Sequence, residues 1–178
     1  TVPEINEGLE YNGDFQFLIN KDKAGEAEGG IINYKVNDGA WSADVPSSIA
    51  PGTYNVYYKV VGDANHSDTA EVELSVTIVP KTIDVKALAD IEYTGENHDE
   101  PEIVFDGTIE GAEVEYSVTY MRGENVETDF KDAGVITVTV SLESEIYIFE
   151  GGTSSKELTF EIKKAAASVA TAPTANKL

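Results

Sequence analysis

Ala50-Pro51-Gly52-Thr53-Tyr54-Asn55-Val56-Tyr57-Tyr58-Lys59-Val60 is the stretch from which the rest of the chain is best read. A turn-making Pro-Gly pair leads into Tyr54, Val56, Tyr58 and Val60, which alternate with Asn55, Tyr57 and Lys59. Successive side chains of a strand point to opposite faces, so this run predicts a strand with one buried and one wet face. Val72, Leu74, Val76 and Ile78 repeat the pattern, as do Ile136, Val138, Val140 and Leu142. One apolar and one polar face is the antiparallel signature; parallel strands covered on both sides are apolar throughout. Asn12-Gly13, Asp38-Gly39, Asp106-Gly107 and Gly151-Gly152 supply further turns. No window carries convincing 3.6-residue periodicity, and Ala165–Ala167 is too short to count.

The same stretch has a partner 82 residues on. Pro51-Gly52-Thr53-Tyr54-Asn55-Val56 falls on Ala133-Gly134-Val135-Ile136-Thr137-Val138. At that offset Leu9-Glu10-Tyr11-Asn12-Gly13 meets Ile91-Glu92-Tyr93-Thr94-Gly95, and Ile32, Tyr34 and Val36 meet Val114, Tyr116 and Val118. A two-residue insertion then moves the offset to 84, where Leu74, Val76 and Ile78 meet Leu158, Phe160 and Ile162. Faces are preserved along with letters, which marks a diverged internal duplication. Pro173-Thr174-Ala175-Asn176-Lys177-Leu178 echoes Pro3-Glu4-Ile5-Asn6-Glu7-Gly8-Leu9, as if a third copy were beginning.

Two copies of roughly 80 residues, each with several short strands, predict two tandem antiparallel β-sandwich (Ig-like) domains. The expected boundaries are 1–80 and 81–164, with 165–178 leading into a next module. The expected core of the first is Tyr34, Val36, Tyr54, Val56, Tyr58, Leu74, Val76 and Ile78. That of the second is Tyr116, Val118, Ile136, Val138, Val140, Leu158, Phe160 and Ile162. Joined at Pro80-Lys81 with almost no linker, the modules are expected to form an elongated, semi-rigid, monomeric rod.

Composition narrows the function. The 178 residues carry a formal charge of −21, which excludes chain-wide attraction to nucleic acid or anionic lipid. Residues 1–80 contribute −9 and residues 81–178 contribute −12, so neither half is a basic binding arm. No run approaches the length of a membrane helix, and zero Cys excludes disulfides, thiolate metal sites and thiol catalysis. At 41% hydrophobic content the chain has enough apolar residues to build a core.

Leu-x-Tyr-Asn-Gly near the start, Gly-Ile-Ile-x-Tyr-Lys-Val, Ala-Pro-Gly-Thr-Tyr-x-Val-Tyr-Tyr-Lys-Val and Gly-Asp-x-Asn-His together resemble the bacterial MBG-type (Ig-like) repeats. In the first copy the resemblance runs from about Leu9 to Ile78. The second keeps Tyr93-x-Gly95 and Ala133-Gly134 but lacks the Gly-Asp-x-Asn-His segment. The resemblance implies a structural or adhesive module of an extracellular, cell-surface bacterial protein. It implies neighbouring repeats as partners and no catalytic residues. A glycan- or host-protein-binding module is the alternative.

His66 and His98 are expected in polar loops, since Ser67 beside His66 supplies neither an oxyanion hole nor a strained turn. Asp63, Asn65 and Asp68 offer oxygen ligands at near-alternate positions and form the candidate calcium site, although the loop lacks the Gly and distal Glu of an EF-hand. The plainer reading is a turn whose side chains bond their own backbone. Asp99, Glu100 and Glu102 form a second acidic cluster. Trp41 and Tyr57 are the candidate ligand-stacking aromatics; the plainer roles are closing one end of the core and packing on a neighbour. Asn65-His66-Ser67 fits the N-glycosylation pattern, which matters only in a eukaryotic secretory pathway. Lys35 and Lys59 fall on the outward phase of their strands, away from where an internal side-chain amide bond would form. No cofactor beyond the calcium candidate is expected.

Overall fold

The computed structural model describes residues 1–168 of the chain. The end of the expected 165–178 linker, including the Pro173–Leu178 echo, lies outside the described residues. The first copy contains β1 (Leu9–Glu10), β2 (Gln16–Phe17), β3 (Gly30–Val36), β4 (Ser47–Ser48), β5 (Gly52–Gly62) and β6 (Val72–Val79). The second contains β7 (Lys81–Val85), β8 (Ile91–Glu92), β9 (Phe105–Asp106), β10 (Tyr116–Arg122), β11 (Asn125–Val126), β12 (Gly134–Leu142), β13 (Tyr147–Phe149) and β14 (Ser155–Lys163). Among the described residues the helical content is a single turn at Lys21–Lys23, capped by the Asn20 side chain accepting from Asp22 N–H. The architecture is all-β, as the alternation predicts.

The duplication holds at the level of hydrogen-bond register. In the first copy the sheet order is β1-β6-β5-β3; in the second it is β8-β14-β12-β10, extended by β11. Gly52, Tyr54 and Val56 pair with Ile78, Val76 and Leu74. Gly134, Ile136 and Val138 pair with Ile162, Phe160 and Leu158. Leu9 pairs with Ile78 and Ile91 with Ile162. Each pair is its counterpart shifted by 82 on one strand and 84 on the other. Even the strand-opening glycines agree, with φ of +150° at Gly52 and +146° at Gly134. The β2–β4 pair Gln16↔Ser48 reappears as the bridge His98↔Phe130.

Not every pair is antiparallel. β1 runs parallel to β6, β8 to β14, and β13 to β7. A parallel neighbour needs a long crossover, and here the intervening strands of the sandwich supply it.

By contacts the chain divides into two units whose limits are not those of the copies. Unit one holds Thr1–Ile83, Gly107–Glu115 and Leu142–Ser154. Unit two holds Asp84–Asp106, Tyr116–Ser141 and the chain from Ser155. β7 crosses the division: Lys81–Ile83 pair with β13 in unit one, and Asp84–Val85 pair with β9 in unit two.

Unit one packs the inner face of its four-stranded sheet on a second layer. Tyr34, Val56, Val76 and Ile78 are buried with Leu18 and Ile19, and Val36, Tyr54, Tyr58 and Leu74 pack around them. Every residue expected in this core is there. Leu18 and Ile19 were not legible, because Phe17-Leu18-Ile19 is too short a run to show a period. Tyr34 donates its hydroxyl to Ala24 C=O, so the polar end of a buried ring is satisfied.

Unit two buries Ile136, Val138, Val140, Phe160 and Ile162 as expected, with Val118 and Leu158 half-buried. Tyr116 is the correction: it is 39% exposed, against 4% for its counterpart Tyr34. The ring meets Phe105 edge-on at 4.9 Å at the margin. Aromatic volume has moved instead to Tyr120, two strand pitches further along the same face, and to Phe130. These two meet edge-on at 4.9 Å, and Phe130 lies 6.2 Å from Phe160. In unit one Ser48 stands where Phe130 stands, and its hydroxyl bonds Tyr54, whose counterpart is Ile136. Large and small have exchanged layers, which keeps the interior filled.

Two outcomes follow for experiment. Tyr34→Ala should cost about 2–4 kcal/mol by the cavity and lost hydrogen bond it leaves, while Tyr116→Ala should stay within about 1 kcal/mol. Equal costs in urea unfolding would contradict the displaced core. Alkali provides the second. Burial raises the hydroxyl pKa of both Tyr34 and Tyr120 above the ordinary value of 10.0. The unfolded chain therefore loses these protons first, and stability present below about pH 10 is lost as pH rises beyond it. Melting temperature should fall across that window, less steeply in a Tyr34→Phe variant.

Candidate functional site

Residues singled out separately in the sequence converge on the outer face of the first sheet. After β3 the chain turns through Asn37, at φ +49°, whose side-chain oxygen accepts from Asn55 N–H at 3.0 Å. It doubles back so that Ser42 pairs with Tyr34 through N–H···O bonds of 2.7 and 2.9 Å. With Ser42 opposite inward-facing Tyr34, the preceding Trp41 falls beside outward-facing Lys35. Register places Lys35 directly across from Tyr57, and Lys59 across from Asn33.

The result is a cation–aromatic cluster. Lys35 Nζ lies 4.9 Å from the Trp41 ring centre and 4.5 Å from that of Tyr57. Lys59 Nζ lies 5.2 Å from Trp41. Each lysine also reaches a carboxylate, Glu71 at 3.6 Å and Asp68 at 3.2 Å. Trp41 and Tyr57 are half-buried. Trp41 therefore stands outside the sheet rather than closing the core. An ammonium over an aromatic face contributes about 0.5–1 kcal/mol at such a site. The arrangement sets two partly buried rings under lysine ammonium groups on the outer face of the sheet.

Asp63, Asn65 and Asp68 share one turn after β5, and that turn uses the carboxylate oxygens of the two aspartates. Asp63 Oδ1 accepts from Asn65 N–H at 2.8 Å and lies 2.7 Å from His66 Nδ1. Asp68 Oδ1 accepts from Gly62 N–H at 3.0 Å. The His66 hydrogen bond, then the Asn65 amide, holds the Asp63 carboxyl below its ordinary range. The Gly62 amide, then Lys59, does the same for Asp68. Among the described residues no three His, Cys, Asp or Glu side chains gather as a metal-binding group. His98 Nε2 sits 3.4 Å from Thr94 Oγ1. A depression of about 530 Å³ between Pro3–Glu7 and Leu74–Ser75 is lined by neither histidine.

Unit one contains a further constellation that the sequence did not flag. Glu10 accepts from Lys81 Nζ at 2.8 Å and from Thr82 N–H at 3.4 Å. That ion pair lowers the Glu10 pKa. Tyr11 meets Tyr147 edge-on at 6.5 Å, and the Ile109 methyl covers Gly13. The Tyr147 hydroxyl accepts from Ile109 N–H and donates to Ala112 C=O, both at 3.1 Å. In the sequence the Glu-Tyr-x-Gly letters mark a repeat anchor; the packing shows that in unit one they also receive Lys81, Tyr147 and Ile109.

No family model matches this chain, and no curated protein matches it either. Among solved structures it is similar to fibronectin(III)-like modules of Clostridium thermocellum CbhA, at 11% identity and a TM-score of 0.26, with 96% of each chain covered.

Proposed function

We propose that this chain is a pair of MBG-type, Ig-like modules from an exported bacterial protein, acting as a spacer that holds a functional part away from the cell surface or presents an adhesive face. The observation that carries this reading is a duplication kept to the hydrogen-bond register while the core side chains exchanged volume. Such a pattern preserves shape and connection rather than a site. Neighbouring modules are the partners, no reaction is assigned, and the strongly acidic surface keeps extended copies apart. Antibodies raised against the chain should label intact, unpermeabilised cells of the source bacterium. Label confined to the cytosol would end this reading.

The Trp41–Lys35–Tyr57 cluster favours a second reading, capture of a glycan through its apolar ring face. Indole fluorescence reports it directly, because Trp41 is the sole Trp. A saturable change with one member of a glycan panel, abolished by Tyr57→Ala, would support capture. A flat response across the panel would leave the spacer alone.

A further inference from the structure

We propose that the edge Ile91–Gly95 of unit two is a docking face for another module of this architecture, one bearing an apolar side chain at the place of Ile109 and an aromatic at the place of Tyr147. The proposal rests on the spacer reading and names its contact.

The first copy shows what this edge does when occupied. Glu10, Tyr11 and Gly13 receive Lys81, Tyr147 and Ile109 respectively, all inside unit one. The Tyr147 hydroxyl braces the Ile109–Ala112 segment, so the pad facing Tyr11 is rigid. In the second copy the three receiving residues recur unchanged as Glu92, Tyr93 and Gly95. Their backbone is held the same way: Tyr11 N–H donates to Val79 O and Tyr93 N–H to Lys163 O, both at 2.9 Å. Covering differs. Tyr11 has the Tyr147 ring edge-on against it, whereas Tyr93 is 37% exposed and among the described residues no ring meets it.

One letter departs from the pattern. Lys81 stands two residues past Val79, but Ala165 stands two past Lys163. The ion pair with the glutamate is thus not repeated, and the aromatic and glycine contacts carry the docking. The first copy's own leading end is no match for the occupant, since the place of Tyr147 falls on Asp63 or Asn65, according to where the two-residue insertion is set, and neither is aromatic. This excludes simple end-to-end stacking of whole chains through the same face.

Tyrosine nitration mapped by peptide mass tests it. In the 178-residue chain Tyr93, which no ring covers, should react faster than Tyr11, which lies against Tyr147. In a chain where a second copy of residues 80–168 follows Lys163, Tyr93 should slow to the Tyr11 rate. Tyr93 reacting equally fast in both chains would overturn the proposal. So would an appended copy that stays unfolded by amide exchange, because the edge would have failed to receive the sequence its counterpart receives. Neither result touches cell-surface labelling, which tests the spacer reading separately.

Discussion

Phe160→Ala should destabilise unit two by about 3–5 kcal/mol, the range for removing a fully buried large aromatic. Phe160 is 2% exposed, paired across from fully buried Ile136, and its ring lies 6.2 Å from Phe130. Phe130 in turn holds Tyr120 edge-on. Removing the Phe160 ring leaves a void that two rigid rings cannot fill without abandoning their edge contact. Phe160→Val installs the residue found at the equivalent Val76, and should cost roughly 2–3 kcal/mol, because its neighbours are shaped for an aromatic. Urea unfolding monitored by circular dichroism measures both. A loss below about 1 kcal/mol for Phe160→Ala would show that the second interior is not built around this ring.

Gly62→Ala should be comparably damaging, at about 3 kcal/mol or more, for a different reason. A Cβ at Gly62 would stand 2.0 Å from the His66 carbonyl oxygen and 2.6 Å from its carbon. Both belong to backbone, and the turn is tied down by Asp68 accepting from Gly62 N–H. Gly29 makes the same corner from the other side, at φ +71° and with a Cβ 2.5 Å from the His66 ring. Here the obstacle is a side chain. His66→Ala should therefore rescue much of Gly29→Ala and nothing of Gly62→Ala, a contrast that a pair of double-mutant cycles reads directly. Gly8→Ala is the control: at φ +67° with nothing within 4 Å, it should cost only roughly 1–2 kcal/mol of backbone strain. Rescue of Gly62→Ala by His66→Ala would contradict the placement of that carbonyl.

The candidate site was partly legible. Trp41, following a turn, and Tyr57, on the polar phase of its strand, stand out in the sequence as aromatics able to stack on a sugar ring. Alternation puts Lys35 on the outward phase of its strand. That phase was right, and it is why Lys35 can lie between the two rings. What could not be read was the Ser42–Tyr34 bridge that folds Trp41 back beside Lys35, since a turn's exit direction depends on a single positive φ at Asn37. The Asp63–Asp68 turn shows the converse. Oxygen ligands at near-alternate spacing suggest a cation, but backbone amides two residues from Asp63 and six from Asp68 compete for the same lone pairs at little cost in loop closure.

Alternation and turn pairs determined the strands, because a half-buried strand must segregate its faces at a period of two whatever it packs against. The offset of 82 and then 84 implied that the two sheets share one register, since inherited faces can be kept only if inherited partners are kept; which strands pair, and in what register, came from the tertiary structure. Tertiary structure alone decided that Tyr116 is left at the margin and Tyr120 and Phe130 fill the interior. Interior volume is shared among facing layers, and no single strand carries the information about which layer supplies it. The same holds for Glu10-Tyr11-x-Gly13: the letters repeat, but only Tyr147 and Ile109, about a hundred or more residues away along the chain, make them a surface.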